Sequence, residues 1–269
     1  MEQKYYDAKN NRIVFINENA DSKFWDKHWQ KNDIENIYKR IILNRMVIAP
    51  TKKFIKKGGR IIDGGCGVGQ NVKSLENNGY ESYGVDYAKS TVESVNRFIP
   101  ALKVSRQDIR KLNFPDGFFD GYWSLGVIEH FYNGYEDIIK EIKRVLKKDG
   151  YLFITFPCIS KLRRKKIQRG RYEIWNEKEN LVDKFYQFAL DENSVENVCK
   201  KYRFEMIEKK NVAGLKGFKD EINTKYLKRI LQKIYNSELI FSKAISWCLD
   251  NVLRPYSGHA KMMIFKSYE

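Results

Sequence analysis

Cysteine is scarce in this chain: Cys66, Cys158, Cys199 and Cys248 are the only four in 269 residues. None lies close enough to another to form a CxxC pair, which excludes a cysteine-ribbon metal site and a thioredoxin-type motif. The four read as free thiols of a reducing compartment. Long apolar runs are missing as well, and no stretch approaches the roughly 18 residues needed to span a bilayer. The opening MEQKYYDAKNN has no apolar core of the signal-peptide kind. The expectation is a cytoplasmic protein, with attachment at the inner face of a membrane left open. Negative charge is short too: 34 Asp+Glu against 50 Lys+Arg leave a formal charge of +16. That surplus favours an anionic partner such as nucleic acid, a phosphorylated metabolite or a membrane surface, the alternative being a solvated cationic surface. Apolar content, at 42%, is that of a folded protein, and the length suits one domain with insertions.

Glycine is concentrated at one place. The stretch Arg60–Val72 reads RIIDGGCGVGQNV, a short apolar run ending in Asp63, then Gly64, Gly65, Gly67 and Gly69, then helical spacing through Val72 and Leu75. A strand, a glycine turn and a helix let backbone N–H groups approach a ligand where a Cβ would stand in the way. After it, strands at Glu81–Asp86, Lys103–Ser105, Phe119–Ser124 and Tyr151–Phe156 alternate with helices over Lys89–Phe98 and Tyr135–Leu146. This pattern predicts a parallel sheet covered on both faces. Beyond Pro157 come seven basic residues in Lys161–Arg171, a strand at Phe204–Lys209, a long amphipathic run from Lys225 to Leu253 and a short last strand at Lys261–Phe265. Before the glycine turn, Ile34, Ile37, Ile41, Ile42, Met46 and Val47 follow helical spacing, and Trp25 and Trp29 share a helical face. The two tryptophans read either as an anchor on the core or as part of a lid over a ligand.

Three acids stand at or just past strand ends. Asp63 precedes the glycine turn, Asp86 lies about twenty residues on, where a carboxylate can take ribose hydroxyls, and Asp108 follows the third strand. Any one of them could be a helix cap or a surface carboxylate, but together they describe a site for an adenosine-bearing molecule. A dinucleotide fingerprint needs glycine at the sixth position from Gly65, where Gln70 stands, and no lysine follows as in a phosphate-binding loop. A cofactor with an amino-acid tail suits the turn better than one with a pyrophosphate.

On these residues the chain resembles class I S-adenosylmethionine-dependent methyltransferases of the D-x-G-C-G-x-G subgroup, with a core like that of methyltransferase type 11 and ubiquinone-pathway enzymes. VDYAKSTVE, FDGYWSLGVIEHF and EIKRVLKKDGYLFITFP extend the resemblance over roughly Lys57–Pro157. It implies a Rossmann-like α/β fold: a seven-stranded, mostly parallel sheet with helices on both faces and an antiparallel last strand. The chain divides into an N-terminal helical cap (1–57), a cofactor core (58–157), a basic segment with the sixth strand (158–212), a helical insertion (213–257) and the last strand (258–269), all in one domain. The resemblance further implies that Asp63, Gly64, Gly65, Cys66, Gly67 and Gly69 line the methionine part of S-adenosylmethionine. Asp86 would hold the ribose with Tyr87 beside the adenine, Asp108 and Ile109 would meet the adenine, and Ser124 and Leu125 would offer backbone groups.

His130 is the candidate base for an oxygen or nitrogen acceptor, with a structural histidine as the alternative; His28 and Glu129 are weaker candidates. A related subgroup reads E-x-x-E-H here and binds a metal, but Gly126 replaces its first glutamate and no metal is expected. The acceptor would be a small molecule or sugar, including a glycan or lipid-linked intermediate, contacted through Trp25, Trp29, Arg163, Arg164 and Tyr172. RNA methylation over the basic surface, and a non-catalytic cofactor-binding regulator, are the competing readings.

Overall fold

In the computed structural model, which describes residues 3–30, 34–39, 44–177, 179–237 and 239–269, the chain opens on a hairpin, β1 (Gln3–Asp7) and β2 (Arg12–Ile16). Three helices follow: α1 (Ser22–Gln30), α2 (Ile34–Lys39) and α3 (Arg45–Phe54). The alternating part runs β3 (Arg60–Gly64), α4 (Gln70–Glu76), β4 (Glu81–Asp86), α5 (Lys89–Phe98), β5 (Val104–Arg106), β6 (Phe119–Leu125), a 3-10 turn at Ile128–His130, α6 (Glu136–Val145) and β7 (Leu146–Pro157). Then come α7 (Lys161–Gln168), β8 (Glu173–Ile174), α8 (Glu179–Val182), β9 (Phe185–Ala189), α9 (Glu192–Lys201) and β10 (Phe204–Val212). Helices α10 (Gly214–Glu221), α11 (Lys225–Asn236) and α12 (Ile240–Ser257) lead to the closing strand β11 (Ala260–Ser267).

Seven strands form the main sheet in the order β10-β11-β7-β6-β3-β4-β5. The five strands from β7 to β5 run parallel, and β11 is antiparallel to both of its neighbours. This is the Rossmann-like arrangement expected, with the last strand reversed. The central strands are apolar on both faces because helices cover both: Tyr122, Trp123, Phe153 and Ile154 are fully buried. On α6, Ile138, Ile139, Ile142 and Val145 pack inward, while Glu136 and Asp137 in the first turn and Lys143 and Arg144 in the last complement the helix dipole.

The N-terminal part differs from a helical cap. Residues 3–16 make a hairpin that enters a second, four-stranded sheet in the order β8-β1-β2-β9. The physical reason lies in the sequence: RIVFI is a β-branched and aromatic run with four buried residues in succession, and Asn11 at φ 47 turns the chain before it. The helical spacing that begins at Ile34 divides into α2 and α3, with Pro50 held inside α3, and Ile41 and Ile42 lie outside the described residues. The run from Lys225 likewise divides, into α11 and α12.

Candidate active site

At the carboxyl ends of β3, β4 and β6 the chain turns through Gly65, Gly67 and Gly69, whose φ angles of 82°, 52° and 75° belong to the left-handed region that glycine reaches without strain. The turn is tied to β4: the Gly65 and Cys66 amides donate to the Val85 carbonyl, and the Gly67 amide donates to Asp86 Oδ2 at 2.8 Å. Asp86 Oδ1 accepts from the Ala88 amide at 2.9 Å. Burial raises the Asp86 pKa even against these hydrogen bonds. Asp63, at the end of β3, is fully buried. Its Oδ2 accepts from Asn71 Nδ2 at 3.3 Å, and its Oδ1 meets no partner among the described residues. Burial, with a smaller contribution from Asp86, pushes its pKa up to about 7. Ser124 Oγ is buried and unpartnered in the same way.

A cavity of about 230 Å³ opens beside this turn. Of the residues expected around the cofactor, Gly65, Asp86, Tyr87, Asp108, Ile109 and Leu125 line it. The others stand behind that wall. A Cβ on Gly64 would sit 2.0 Å from Tyr122 Oη, so this glycine makes room for a ring of the core. Cys66 is buried in a cluster with Val68, Val72 and Val104 and acts as a packing group. Gly69 starts α4, under Tyr38, Leu102 and Val104. Asp108 is held by a two-point contact with Arg110, Nε to Oδ1 at 3.0 Å and Nη2 to Oδ2 at 2.6 Å, which keeps its pKa low. Arg110 and Phe131 line the cavity without having been expected, though each lies within two residues of one that was.

Helix α1 is the roof. Trp25 and Trp29 both line the cavity, and Trp29 lies so close over Gly67 that a Cβ there would fall 2.5 Å from its ring. Both readings of the two tryptophans have a counterpart in their positions: they border the cavity, and Trp29 also packs against the core cluster around Cys66 and Val72. Asp26, on the same helix, accepts from the Thr91 amide at 3.0 Å and its hydroxyl at 3.1 Å, which pins α1 to the start of α5. Tyr87 Oη and Trp25 Nε1 both donate to the Ala20 carbonyl.

His130 faces the cavity from the 3-10 turn after β6, with the Trp25 ring edge-on at 4.9 Å. Its Nδ1 lies 2.7 Å from the Tyr186 carbonyl on β9. A carbonyl only accepts, so Nδ1 carries the proton and Nε2 keeps its lone pair. Burial lowers the His130 pKa to about 4; the Tyr186 carbonyl opposes that shift and His28 adds to it. The imidazole is therefore neutral at physiological pH. The neighbouring Glu129 is buried, with Oε2 unpartnered among the described residues, and burial pushes its pKa up to about 8.

Part of the basic segment after β7 is committed to partners within the fold. Arg163 is 1% exposed and donates to Glu221 Oε1 at 3.1 Å and to the carbonyls of Cys158 and His259. Tyr172 Oη donates to Glu221 Oε2 at 2.7 Å, and Arg164 reaches Asp191 at 3.1 Å. None of the three lines the cavity. Arg163 and Tyr172 are buried against Glu221, which leaves neither open to the expected acceptor, since a buried guanidinium needs an anion and carbonyls and the fold supplies them; Arg164 is exposed and stands outside the cavity lining.

Residues 62–154 match the family model described as a methyltransferase domain. The chain is 30% identical over 102 residues to 2-methyl-6-phytyl-1,4-hydroquinone methyltransferase of Synechocystis; the match covers 36% of this chain and only 32% of that relative's length. Among solved structures it superposes on the PH0226 protein of Pyrococcus horikoshii with a TM-score of 0.55 at 18% identity, covering 91% of this chain and 98% of that one. An S-adenosylmethionine-dependent methyltransferase of Methanosarcina mazei superposes with a TM-score of 0.52 at 18% identity, covering 81% and 97%. At these identities the superpositions speak for the fold.

Proposed function

We propose that this chain, which carries the core of a class I S-adenosylmethionine-dependent methyltransferase, moves a methyl group onto an oxygen or nitrogen of a small molecule or sugar held beneath α1, with S-adenosylhomocysteine as the other product. A lipid-linked form of that acceptor belongs to the same proposal. The observation that carries it is the meeting, in one cavity, of a strand-end carboxylate, Asp86, and a neutral imidazole, His130, with a free Nε2.

The residues fit the cofactor. Each Asp86 oxygen accepts one backbone N–H and retains acceptor capacity for a ribose hydroxyl. Gly65 leaves its backbone open to the cavity, and the unpartnered Asp63 Oδ1 and Ser124 Oγ beneath the turn are the kind of buried polar atoms a polar ligand or its water satisfies. Ile109 and Tyr87 give apolar and aromatic surface for a purine, and Asp108 gives an acceptor for its amine. When bound, the cofactor supplies an electrophilic methyl group on a sulfonium, so the protein has to align, exclude water and move a proton. Trp25 and Trp29 close the cavity from above and keep water out. His130 Nε2 takes the proton that the acceptor loses, and the Tyr186 carbonyl steadies the imidazolium through Nδ1–H.

A small acceptor is favoured by the aromatic roof. The Synechocystis relative is named for a hydroquinone with a phytyl tail, a small acceptor with a large apolar part. RNA has less support, because Arg163, Arg164 and Lys166 of the basic segment are already committed to Glu221 and Asp191. Calorimetry with S-adenosylhomocysteine should show binding to the wild type and none to Asp86→Ala; equal binding by the variant sinks the cofactor site. A labelled-methyl assay on fractionated cell extract should put label into small molecules. Label in RNA sinks the acceptor reading.

A further inference from the structure

Helix α12 is built the wrong way round for a helix on the surface of a globular protein. Its large apolar side chains point outward: Phe241 is 85% exposed, Ile240 83%, Val252 76%, Trp247 69% and Ile245 50%. At about 3.6 residues per turn these fall on one side, with Trp247 at its edge and Asp250 turned away. The inward side is mixed, with Ser242, Ser246, Asp250 and Ser257 beside the half-buried Leu249 and Leu253. Gly214 and Gly217 of α10 admit the α12 backbone so closely that a Cβ would fall 2.4 Å from the Asp250 carbonyl oxygen and 1.7 Å from that of Ser257. Ser257 Oγ donates to the Gly214 carbonyl and Asp250 Oδ1 accepts from the Leu215 amide. A surface helix ordinarily shows the reverse pattern, and an exposed apolar face of this kind marks a place where something binds.

Charge selects the occupant. Residues 225–257 hold Lys225, Lys228, Arg229, Lys233, Lys243 and Arg254 against Glu238 and Asp250. Asp250 is itself bridged to Arg254 at 2.8 Å, and the α11 cations are exposed. A second copy of the chain would bring a second set of cations against the first. An anionic lipid surface complements them while its interior takes the apolar side chains, and Trp247, Tyr226 and Tyr256 are residue types that settle at such an interface. No helix among the described residues is long and apolar enough to cross a membrane, so the contact lies along the surface.

We propose that the α11–α12 hairpin seats this protein on an anionic lipid surface. Helix α12 runs into β11, whose Ala260 pairs with Pro157 at the carboxyl end of β7, and that edge of the sheet also bears the cavity. The C-terminal end of α12 therefore lies at the same edge of the sheet as the cavity. The inference stands on the hairpin and not on methyl transfer, and vesicle binding needs no acceptor, so either proposal can fail without the other.

The test is co-sedimentation of the full chain with phosphatidylcholine–phosphatidylserine vesicles and with phosphatidylcholine vesicles alone. The wild type should pellet with the mixed vesicles, less so as salt is added, and weakly with the neutral ones. Replacing the outward side chains together, Ile240→Ser, Phe241→Ser and Val252→Ser, should weaken binding at least about tenfold, with circular dichroism and melting temperature matching the wild type. As a readout on the native side chains, lipid-borne quenchers should reduce Trp247 fluorescence, measured as the difference from Trp247→Phe. The proposal is overturned if the wild type stays in the supernatant with both vesicle types, if the triple variant pellets equally, if Trp247 is not quenched, or if sedimentation velocity shows a dimer that the triple substitution dissolves.

Discussion

At the scale of single residues, His130 and Glu129 sit side by side, and burial moves both away from their ordinary pKa in the direction of the neutral form. For His130 the neutral form is already dominant above about pH 4. An acid limb of kcat/KM due to this group should therefore fall near pH 4 and not near 6.5, provided the fold survives there. His130→Asn retains a side-chain N–H for the Tyr186 carbonyl but has no counterpart of Nε2. Turnover should fall by about 10²–10⁴ while calorimetry shows unchanged affinity for S-adenosylhomocysteine; unchanged turnover removes the base. For Glu129 the sign runs the other way. The folded state keeps a proton up to about pH 8 that the unfolded chain gives up near 4.5, so stability falls as pH rises through that window. Glu129→Gln should match the wild type in melting temperature at the acid end and exceed it above pH 8. Asp86 and His130 could be singled out in the sequence because one ends a strand and the other comes shortly after one. The Tyr186 carbonyl that fixes the imidazole tautomer lies 56 residues further on, in a strand that no motif announced.

At the scale of elements, α5 shows how the roof is attached. It begins after Ala88, whose side chain has no oxygen to satisfy the first amides. Asp26 of α1 supplies that acceptor from outside, to the Thr91 amide and hydroxyl, and brings a negative charge to the helix N-terminus. Capping α5 and closing the cavity are thus one interaction. Asp26→Ala should cost about 0.5–2 kcal/mol of stability, the range for losing a cap, and should raise hydrogen exchange selectively in residues 22–30. Affinity for S-adenosylhomocysteine should drop as Trp29 leaves Gly67. An exchange pattern identical to wild type would remove α1 as a lid held by this contact. The parallel strands were legible because apolar runs between glycine and aspartate signals have few other uses. The hairpin β1–β2 was missed although RIVFI has the composition of a strand, since the run is short and its partner β9 is far away in the chain.

At the scale of the whole molecule, the surplus of positive charge is partly structural. Glu221 on α10 is buried among Arg163 and Lys166 of α7, Lys4 of β1 and the Tyr172 hydroxyl, with its oxygens 2.7 to 3.1 Å from all four. Burial pushes the Glu221 pKa up, but Arg163, Lys4 and Lys166 outweigh it and hold the group near 2. One carboxylate thereby ties together the N-terminal hairpin, the segment after β7 and the helical insertion, three parts of the chain with no sequence neighbourhood. The count of charges in Lys161–Arg171 was legible in the sequence. Which of them meet a buried acid was not, because Lys4 lies 217 residues from Glu221 and only the fold brings them together. Removing the anion leaves Arg163, at 1% exposure, without a counter-charge. Glu221→Ala should cost about 3–5 kcal/mol, as expected when one partner of a buried pair is lost, seen as a large fall in the denaturant midpoint. Lys165→Ala, at an exposed position on the same helix as Arg163, should change stability by no more than about 0.5 kcal/mol. If both substitutions were equally mild in denaturation yet both lowered turnover, the basic segment would be an acceptor-binding surface after all; stability loss confined to Glu221→Ala makes it a brace of the fold.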